Sequence, residues 1–143
     1  MAPAKLSIAV ICSAALAAAL GAAWFEAGRQ ERSGRTALRD RALRFSEALE
    51  DAAHQNRVST LVPWLEPAER TSAQARTALD ELAVAPRRRQ NLVLAKIRLA
   101  QGGRQGQAEY LLTTGEHSGT GATMFVDWIR QPDGTWFLNL VDR

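Results

Sequence analysis

An uninterrupted run of uncharged residues, from Leu6 to Phe25, constrains this chain more than any other feature. At about 1.5 Å per residue, a helix of that length spans roughly 30 Å, which is the thickness of the hydrocarbon core of a bilayer. Lys5 precedes the run, and Trp24 and Phe25 lie at its far end, where aromatic rings favour the membrane interface. The pattern predicts an amino-terminal tail at residues 1–5 and a transmembrane helix at residues 6–25 that contacts the lipid bilayer.

A cleaved signal peptide is the alternative interpretation of this run. Small residues at 17–19 offer a cleavage site, but cleavage there would leave apolar residues at a new amino terminus. Cys12 follows Val10 and Ile11, which are too bulky for a typical lipoprotein site. Cys12 is also the only cysteine, which excludes an intrachain disulfide and a cysteine metal site. The retained anchor is the favoured interpretation.

Two signals disagree about which side of the membrane carries the rest of the chain. Counted literally, the positive-inside rule places it in the cytoplasm, because several arginines follow the run: Arg29, Arg32, Arg35, Arg39 and Arg41. A short tail with one lysine before a first hydrophobic segment is instead typical of a signal anchor. We expect an inner (plasma) membrane protein with an extracytoplasmic, periplasmic soluble domain, and a cytoplasmic domain is the alternative.

Helical patterns fill the first part of the soluble region. The polar residues 26–36 suggest a juxtamembrane stalk, and residues 37–143 form the predicted domain. Apolar residues then recur at spacings of four and three, which predicts one face of an amphipathic helix: Leu38, Ala42, Phe45, Leu49 and Ala52. Pro63 and Pro67 limit the next segment to short helical turns. Thr71 with Gln74 resembles a capping box that opens a second helix, which Pro86 should end.

From Asn91 onward the apolar period changes to two, which predicts antiparallel strands. In the first strand, Val93, Ala95, Ile97 and Leu99 should share one side, and in the second, Ala108, Tyr110 and Leu112 should do so. The last two strands, "ATMFVDWIR" and "TWFLNLV", are joined by "QPDG", which suits a type I turn followed by a left-handed Gly134. That register pairs Arg130 with Trp136, Trp128 with Leu138 and Val126 with Leu140. It also pairs Ile129 with Phe137, Asp127 with Asn139 and Phe125 with Val141.

Helices followed by a curled antiparallel sheet predict an α+β domain after the transmembrane helix. The segments "RALRFSEALEDAAHQNRVSTLVPWLEP" and "FVDWIRQPDGTWFLNLV" are similar to the first helix and the closing hairpin of the nuclear transport factor 2-like (cystatin-like, SnoaL-like) superfamily. The resemblance covers about residues 36–143 and is strongest to membrane-tethered or exported bacterial domains. It implies a sheet curled into a cone, a fold that serves enzymes, ligand binders and assembly subunits alike.

The closing hairpin also contains the best candidates for a ligand site, namely Asp127 and Asn139 among Phe125, Ile129 and Phe137. If these residues face into the cone, desolvation would raise the pKa of the Asp127 carboxyl group and make it a general base. The alternative is a surface carboxylate that is hydrogen-bonded to Asn139 across the strands.

Other chemistries lack the residues they need. His54 and His117 are the only histidines, and neither is placed for a His–Asp couple on a strand. No His, Cys or acidic cluster predicts a metal site, and "GEHSGTGA" lacks the ending of a phosphate loop. We therefore expect no catalytic residues, no cofactor and no nucleic-acid partner. The basic run Arg87, Arg88 and Arg89, together with Trp24 and Phe25, supplies candidate interaction residues.

These observations predict a non-catalytic accessory or assembly subunit that contacts other membrane protein subunits. The alternative is a membrane-tethered small-ligand binder, or an isomerase- or hydrolase-like enzyme that uses the cone around Asp127. Cavity size separates the two hypotheses. An open cone of roughly 300 Å³ or more would favour a ligand, whereas a cone filled by Phe137 and tryptophan side chains would favour a subunit that braces a complex.

We predict that the mature protein retains residues 6–25 as a membrane helix, because cleavage would strand apolar residues in water. Intact-mass measurement on the membrane fraction should therefore give the mass of the whole chain, 15.6 kDa. A product that begins near Leu20 would contradict the prediction.

Overall fold

One long helix begins the chain in the computed structural model, which describes residues 3–114 and 121–141, with side chains from residue 21 onward. This helix, α1, runs over Pro3–His54 and includes residues 26–36, so the segment interpreted as a stalk is helical. The chain divides into two compact units, Met1–Ser33 and Gly34–Arg143. Within the described part, no helix has both the length and the apolar character that crossing a membrane requires. Residues 6–20 make up most of the predicted anchor, and the structure does not describe their side chains.

Gly34 has a packing role within α1. A Cβ atom at Gly34 would lie 3.2 Å from Nη1 of Arg130, and the Leu99 side chain is also close. The missing side chain therefore lets strand residues approach the helix backbone, which offsets the cost of about 1 kcal/mol that glycine imposes on a helix.

Two 3₁₀ helices, Val58–Trp64 and Pro67–Glu69, follow α1, as the two prolines predicted. Helix α2 spans Ala73–Leu82 and is capped by Ser72, whose Oγ accepts a hydrogen bond from the Ala75 N–H at 3.3 Å. The predicted cap at Thr71 was therefore one residue early. Pro86 does not end this helix, because it lies inside a separate single-turn helix, α3, at Val84–Arg87.

A four-stranded antiparallel sheet completes the α+β fold of the second unit. Its strands are β1 (Gln90–Leu99), β2 (Gln105–Thr114), β3 (Thr123–Arg130) and β4 (Trp136–Leu138). They follow one another in the order β1-β2-β3-β4, so each pairs with its neighbour along the chain. The predicted register of the closing hairpin is confirmed at Trp128–Leu138, Ile129–Phe137 and Arg130–Trp136. The three pairs predicted beyond Leu138 are not part of this ladder, because β4 ends there.

A β-bulge between Leu94 and Lys96 corrects the predicted faces of β1. The extra residue changes the alternation, so Leu92 and Leu94 point to the same side as Ile97 and Leu99. Val93 consequently lies on the opposite side and is exposed. The alternation predicted for β2 is confirmed, since Ala108 and Tyr110 are buried and Leu112 packs against the core.

Helix α1 covers one side of the sheet, which we call the inner face, and three aromatic rings lie at the centre of this contact. The Phe45 ring centroid is 5.5 Å from that of Trp64 and 5.5 Å from that of Trp128, and the two tryptophan centroids are 6.5 Å apart. The Tyr110 hydroxyl donates a buried hydrogen bond of 2.7 Å to the Ala42 carbonyl, which joins β2 to α1. Burial raises the pKa of Tyr110, so this hydroxyl keeps its proton.

The free edge of β4 is covered by residues from distant parts of the chain. The Arg41 Nε–H donates to the Trp136 carbonyl at 3.1 Å, and the Glu66 N–H donates to the Leu138 carbonyl at 3.0 Å. Beyond the strand, the buried Glu69 carboxylate accepts from the N–H groups of Leu140 and Val141, each at 3.2 Å. An edge occupied in this way offers few free backbone groups to another strand.

The turn between β3 and β4 has the predicted conformation, because Gly134 has a φ of +91°, in the left-handed region. Asp133 accepts a hydrogen bond of 2.9 Å from the Thr135 N–H, and this bond lowers the pKa of Asp133.

We predict that Glu69→Gln lowers the free energy of unfolding by about 1–3 kcal/mol. Glutamine supplies only one oxygen, so the N–H of Leu140 or of Val141 would face an amide NH₂ group instead of an acceptor. Urea unfolding of the full chain in mild detergent, followed by tryptophan fluorescence, measures the change. The control is Glu66→Gln, at a half-buried position whose side chain makes no hydrogen bond within the described residues. Equal midpoints for the two variants would contradict the assigned role of the Glu69 carboxylate.

Candidate functional site

The side of the sheet that faces away from α1, here called the outer face, holds the residues predicted for a ligand site. Phe125, Asp127 and Phe137 alternate along their strands with the buried Val126, Trp128 and Leu138. These side chains therefore point away from the aromatic core. The desolvated position that a general base at Asp127 would require is not present, because Phe125 is exposed and Asp127 is only half-buried.

A surface groove of about 330 Å³ lies around Asp127. The Gln107 side-chain amide donates a hydrogen bond of 2.9 Å to Asp127 Oδ1, and the Asn139 N–H donates one of 2.9 Å to the Asp127 carbonyl. Asn139 is thus hydrogen-bonded to Asp127 across the strands through the backbone, and β2 adds a bond to the Asp127 carboxylate. The groove is lined by Arg98, Leu99, Ala100, Gln105, Gly106, Gln107, Asp127, Trp128 and Asn139.

Asn139 contributes an unusual polar group at this groove. The residue is only 7% exposed, and its Oδ1 atom is buried without a hydrogen-bond donor among the described residues. A buried acceptor without a partner costs about 1–3 kcal/mol, so such groups mark strained or functional positions. Phe125 and Phe137 do not line the groove, so of the predicted ligand residues only Asp127 and Asn139 lie there.

The described aromatic residues of the inner face pack closely against one another. Trp128, Trp136, Tyr110 and Phe45 are each at most 2% exposed, so side chains fill the region where an open cone would lie. Tryptophan rings do this filling, whereas Phe137 lies on the outer face. The indole N–H groups of Trp128 and Trp136 are buried without acceptors in the described part of the chain. The apolar burial of these rings outweighs that cost.

The residues predicted for interaction belong to both units of the chain. Arg87, Arg88 and Arg89 are exposed at the end of α3, and Arg87 Nη2 donates to Asn56 Oδ1 at 3.4 Å. Trp24 and Phe25 are exposed in the first unit.

Catalytic and metal-binding groups do not converge in the described residues. His54 is exposed at the end of α1, and His117 lies outside the described residues. Residues 3–114 and 121–141 contain no group of three His, Cys, Asp or Glu side chains that could hold a metal ion.

Three exposed apolar side chains lie together on the outer face, and the sequence analysis predicted only Phe125 among them as a site residue. Val93 pairs with Leu111 across β1 and β2, and Leu111 is diagonal to Phe125 on β3. Their exposed fractions are 48%, 39% and 43% respectively. We call these three residues the outer apolar patch. The β1 alternation predicted Val93 on the buried side, and only the bulge at Leu94 to Lys96 moves it to this face.

A cationic cluster at the β4 edge also escaped the sequence analysis. The guanidinium carbon of Arg41 lies 3.9 Å from the centre of the Trp64 ring and 5.9 Å from that of Phe137. The guanidinium carbon of Arg70 lies 5.6 Å from the same Phe137 centre. We call Arg41, Arg70 and Phe137 the arginine–phenylalanine cluster. These residues are far apart in the sequence, so no local pattern predicts that they meet.

Comparisons of the chain with protein-family models, with curated proteins and with solved structures found no match.

We predict that Asp127→Asn changes the free energy of unfolding by less than about 1 kcal/mol, because the Gln107 amide can turn and keep one hydrogen bond. Thermal unfolding of both proteins in mild detergent measures this. The same assay is then repeated with a panel of small polar metabolites. A compound that stabilises the native chain but not the variant would contradict a purely structural role and assign ligand binding to the carboxylate.

Proposed function

We propose that this protein is a non-catalytic accessory subunit, held by a single membrane span, that braces a larger membrane protein complex. In this proposal residues 6–25 form the span in the inner membrane, and residues 34–143 lie on the extracytoplasmic side. The soluble unit is then a member of the nuclear transport factor 2-like type whose sheet curls around its own side chains. Its partners are other membrane protein subunits.

The outer apolar patch carries the proposal. Directly paired residues on neighbouring strands have Cβ atoms about 5 Å apart, and diagonal neighbours lie about 7–8 Å apart, so Val93, Leu111 and Phe125 form a continuous surface. Apolar side chains left together on one face of a sheet favour contact with another protein. Polar residues adjoin the patch, including the Arg98–Glu109 ion pair at 3.4 Å. An apolar centre with a polar rim is typical of a protein interface.

The packing of the inner face supports the same proposal. An enclosed ligand site needs a cavity, and the aromatic rings of the core occupy the space between α1 and the sheet. The described residues also do not bring a histidine to Asp127, which an acid–base mechanism of the resembled superfamily would use. A domain with a filled interior and an exposed apolar patch on its outer face is suited to docking.

A second candidate function rests on the groove around Asp127. Its volume of about 330 Å³ is sufficient for a small ligand, and the unpartnered Asn139 Oδ1 lies beside it. On this alternative the protein is a tethered small-ligand binder, or an isomerase- or hydrolase-like enzyme with Asp127 as its base.

We predict that the double variant Leu111→Gln, Phe125→Ser lowers co-purification of the partner subunit by about tenfold without lowering the unfolding temperature. Both side chains are exposed, so the core loses little on their removal, whereas an interface would lose its apolar centre. Gentle detergent extraction followed by mass identification names the partner from the native chain, and quantitative mass spectrometry compares the variants.

The matched control is Val84→Thr, which changes an equally exposed apolar side chain on α3. Equal loss of the partner in the control and the double variant would contradict docking through the outer face. If light scattering shows that the double variant changes only self-association, the occupant of this face is a second copy of the chain, and the accessory-subunit proposal fails.

A further inference from the structure

The arginine–phenylalanine cluster places two guanidinium groups around one ring at the covered edge of β4. Arg41 comes from α1, Arg70 follows the second 3₁₀ helix, and Phe137 lies in the middle of β4. Each guanidinium carbon is within 5.9 Å of the Phe137 ring centre. Arg41 also stacks on Trp64, at 3.9 Å. Stacking uses the flat face of a guanidinium and leaves its N–H edges available.

Backbone carbonyls hold both arginines in place but do not satisfy all of their donors. Arg41 uses Nε–H on the Trp136 carbonyl. Arg70 uses Nε–H on the Leu65 carbonyl at 3.2 Å and Nη2 on the Pro63 carbonyl at 3.1 Å. Both Nη groups of Arg41 and Nη1 of Arg70 therefore have no hydrogen-bond partner among the described residues. The side chains are fixed in advance, which reduces the entropy that a ligand must overcome.

The positive charge of the cluster is not compensated by the described residues. No carboxylate among them lies within 4.0 Å of Arg41 or Arg70. The charged neighbour that affects Arg41 is another cation, Arg44. Burial and, to a smaller extent, this neighbour lower the pKa of Arg41. A partly desolvated cation beside a second cation is stabilised by an anion.

We propose that the arginine–phenylalanine cluster binds a glutamate or aspartate side chain of the partner subunit. This inference rests on the proposed function, because Phe137 points to the same outer face as the outer apolar patch. A protein that covers the patch would bring its own side chains to the β4 edge. A carboxylate matches the fork of a guanidinium with two parallel hydrogen bonds. The remaining Nη groups of Arg41 and Arg70 supply the donors, and Phe137 supplies an apolar contact for the aliphatic part of the acidic side chain.

The test uses the full chain in neutral detergent micelles, labelled with ¹⁵N-arginine, so that each Nε–H group gives its own signal. Arg41→Lys and Arg70→Lys identify the two signals. The probe is a blocked pentapeptide that alternates leucine and glutamate, and its twin has glutamine in place of glutamate. We expect saturable shifts of the Arg41 and Arg70 signals, with a dissociation constant at least about tenfold lower for the glutamate peptide. The signal of the exposed Arg104, identified with Arg104→Gln, serves as an internal control and should not move.

A charge-matched pair of variants tests which arginines act. Arg70→Gln should weaken binding of the glutamate peptide by about tenfold, whereas Arg104→Gln, which removes an exposed arginine elsewhere, should leave it unchanged. The comparison of the two peptides on the native chain needs no variant, so a folding defect in Arg70→Gln does not remove the test.

Equal affinities for the two peptides would overturn the proposal, and so would equal shifts of the Arg104 signal. Inorganic phosphate and nanodiscs with 30% anionic lipid are titrated in parallel. If either shifts the Arg41 and Arg70 signals at lower concentration than the glutamate peptide, the cluster binds phosphate groups and the proposal fails. Failure of the proposed function is seen separately, because the outer-patch variants would then retain the partner whatever the peptides do.

Discussion

The second unit depends on the close approach of α1 to the middle of the sheet. The Tyr110 hydroxyl reaches the Ala42 carbonyl at 2.7 Å, and Gly106 on β2 has no room for a side chain, because a Cβ there would collide with Leu38. These two contacts fix the distance and the alignment of the helix over β2. The Phe45 ring then meets Trp128 edge-on at 5.5 Å, and the rest of the core packs around this pair.

One consequence concerns β4, which is short and lies at the edge of the sheet. Two paired strands joined by a tight turn are marginally stable by themselves. Here Arg41, Glu66 and Glu69 supply hydrogen bonds to the free side of β4 and to the residues that follow it. Arg41 bonds the β4 edge itself, and Arg70 directly follows Glu69 in the chain. The segments that cover β4 therefore also place both arginines beside Phe137. Stability of the edge and the chemistry of the cationic cluster therefore have a common structural origin.

A second consequence is the difference between the two faces of the sheet. The inner face is filled by aromatic side chains. The outer face has the apolar patch and the groove around Asp127 at different positions along β1, β2 and β3, and the arginine–phenylalanine cluster lies at the β4 edge. A domain organised in this way has its recognition chemistry on a surface. Under the proposed function, electrostatic complementarity at this surface would be the source of specificity for the partner.

The sequence by itself determined the features that depend on local patterns. The apolar spacing of Leu38, Ala42 and Phe45 predicted the buried face of α1, and the prolines predicted the short helical turns. "QPDG" predicted the closing turn, and with it the pairs from Arg130–Trp136 to Trp128–Leu138. In each case the residues that decide the structure are neighbours in the chain, so their periodicity or turn chemistry is visible without knowledge of the fold.

Only the tertiary structure decided the candidate interaction surfaces. The bulge between Leu94 and Lys96 moved Val93 to the outer face, because one extra residue reverses the alternation that sequence reasoning assumes. The Asp127 carboxylate accepts a hydrogen bond from Gln107, on another strand. Arg41 meets Trp136 across a separation of 95 residues. Such contacts depend on how helices and strands pack in space, and the local order of residues contains no record of that packing.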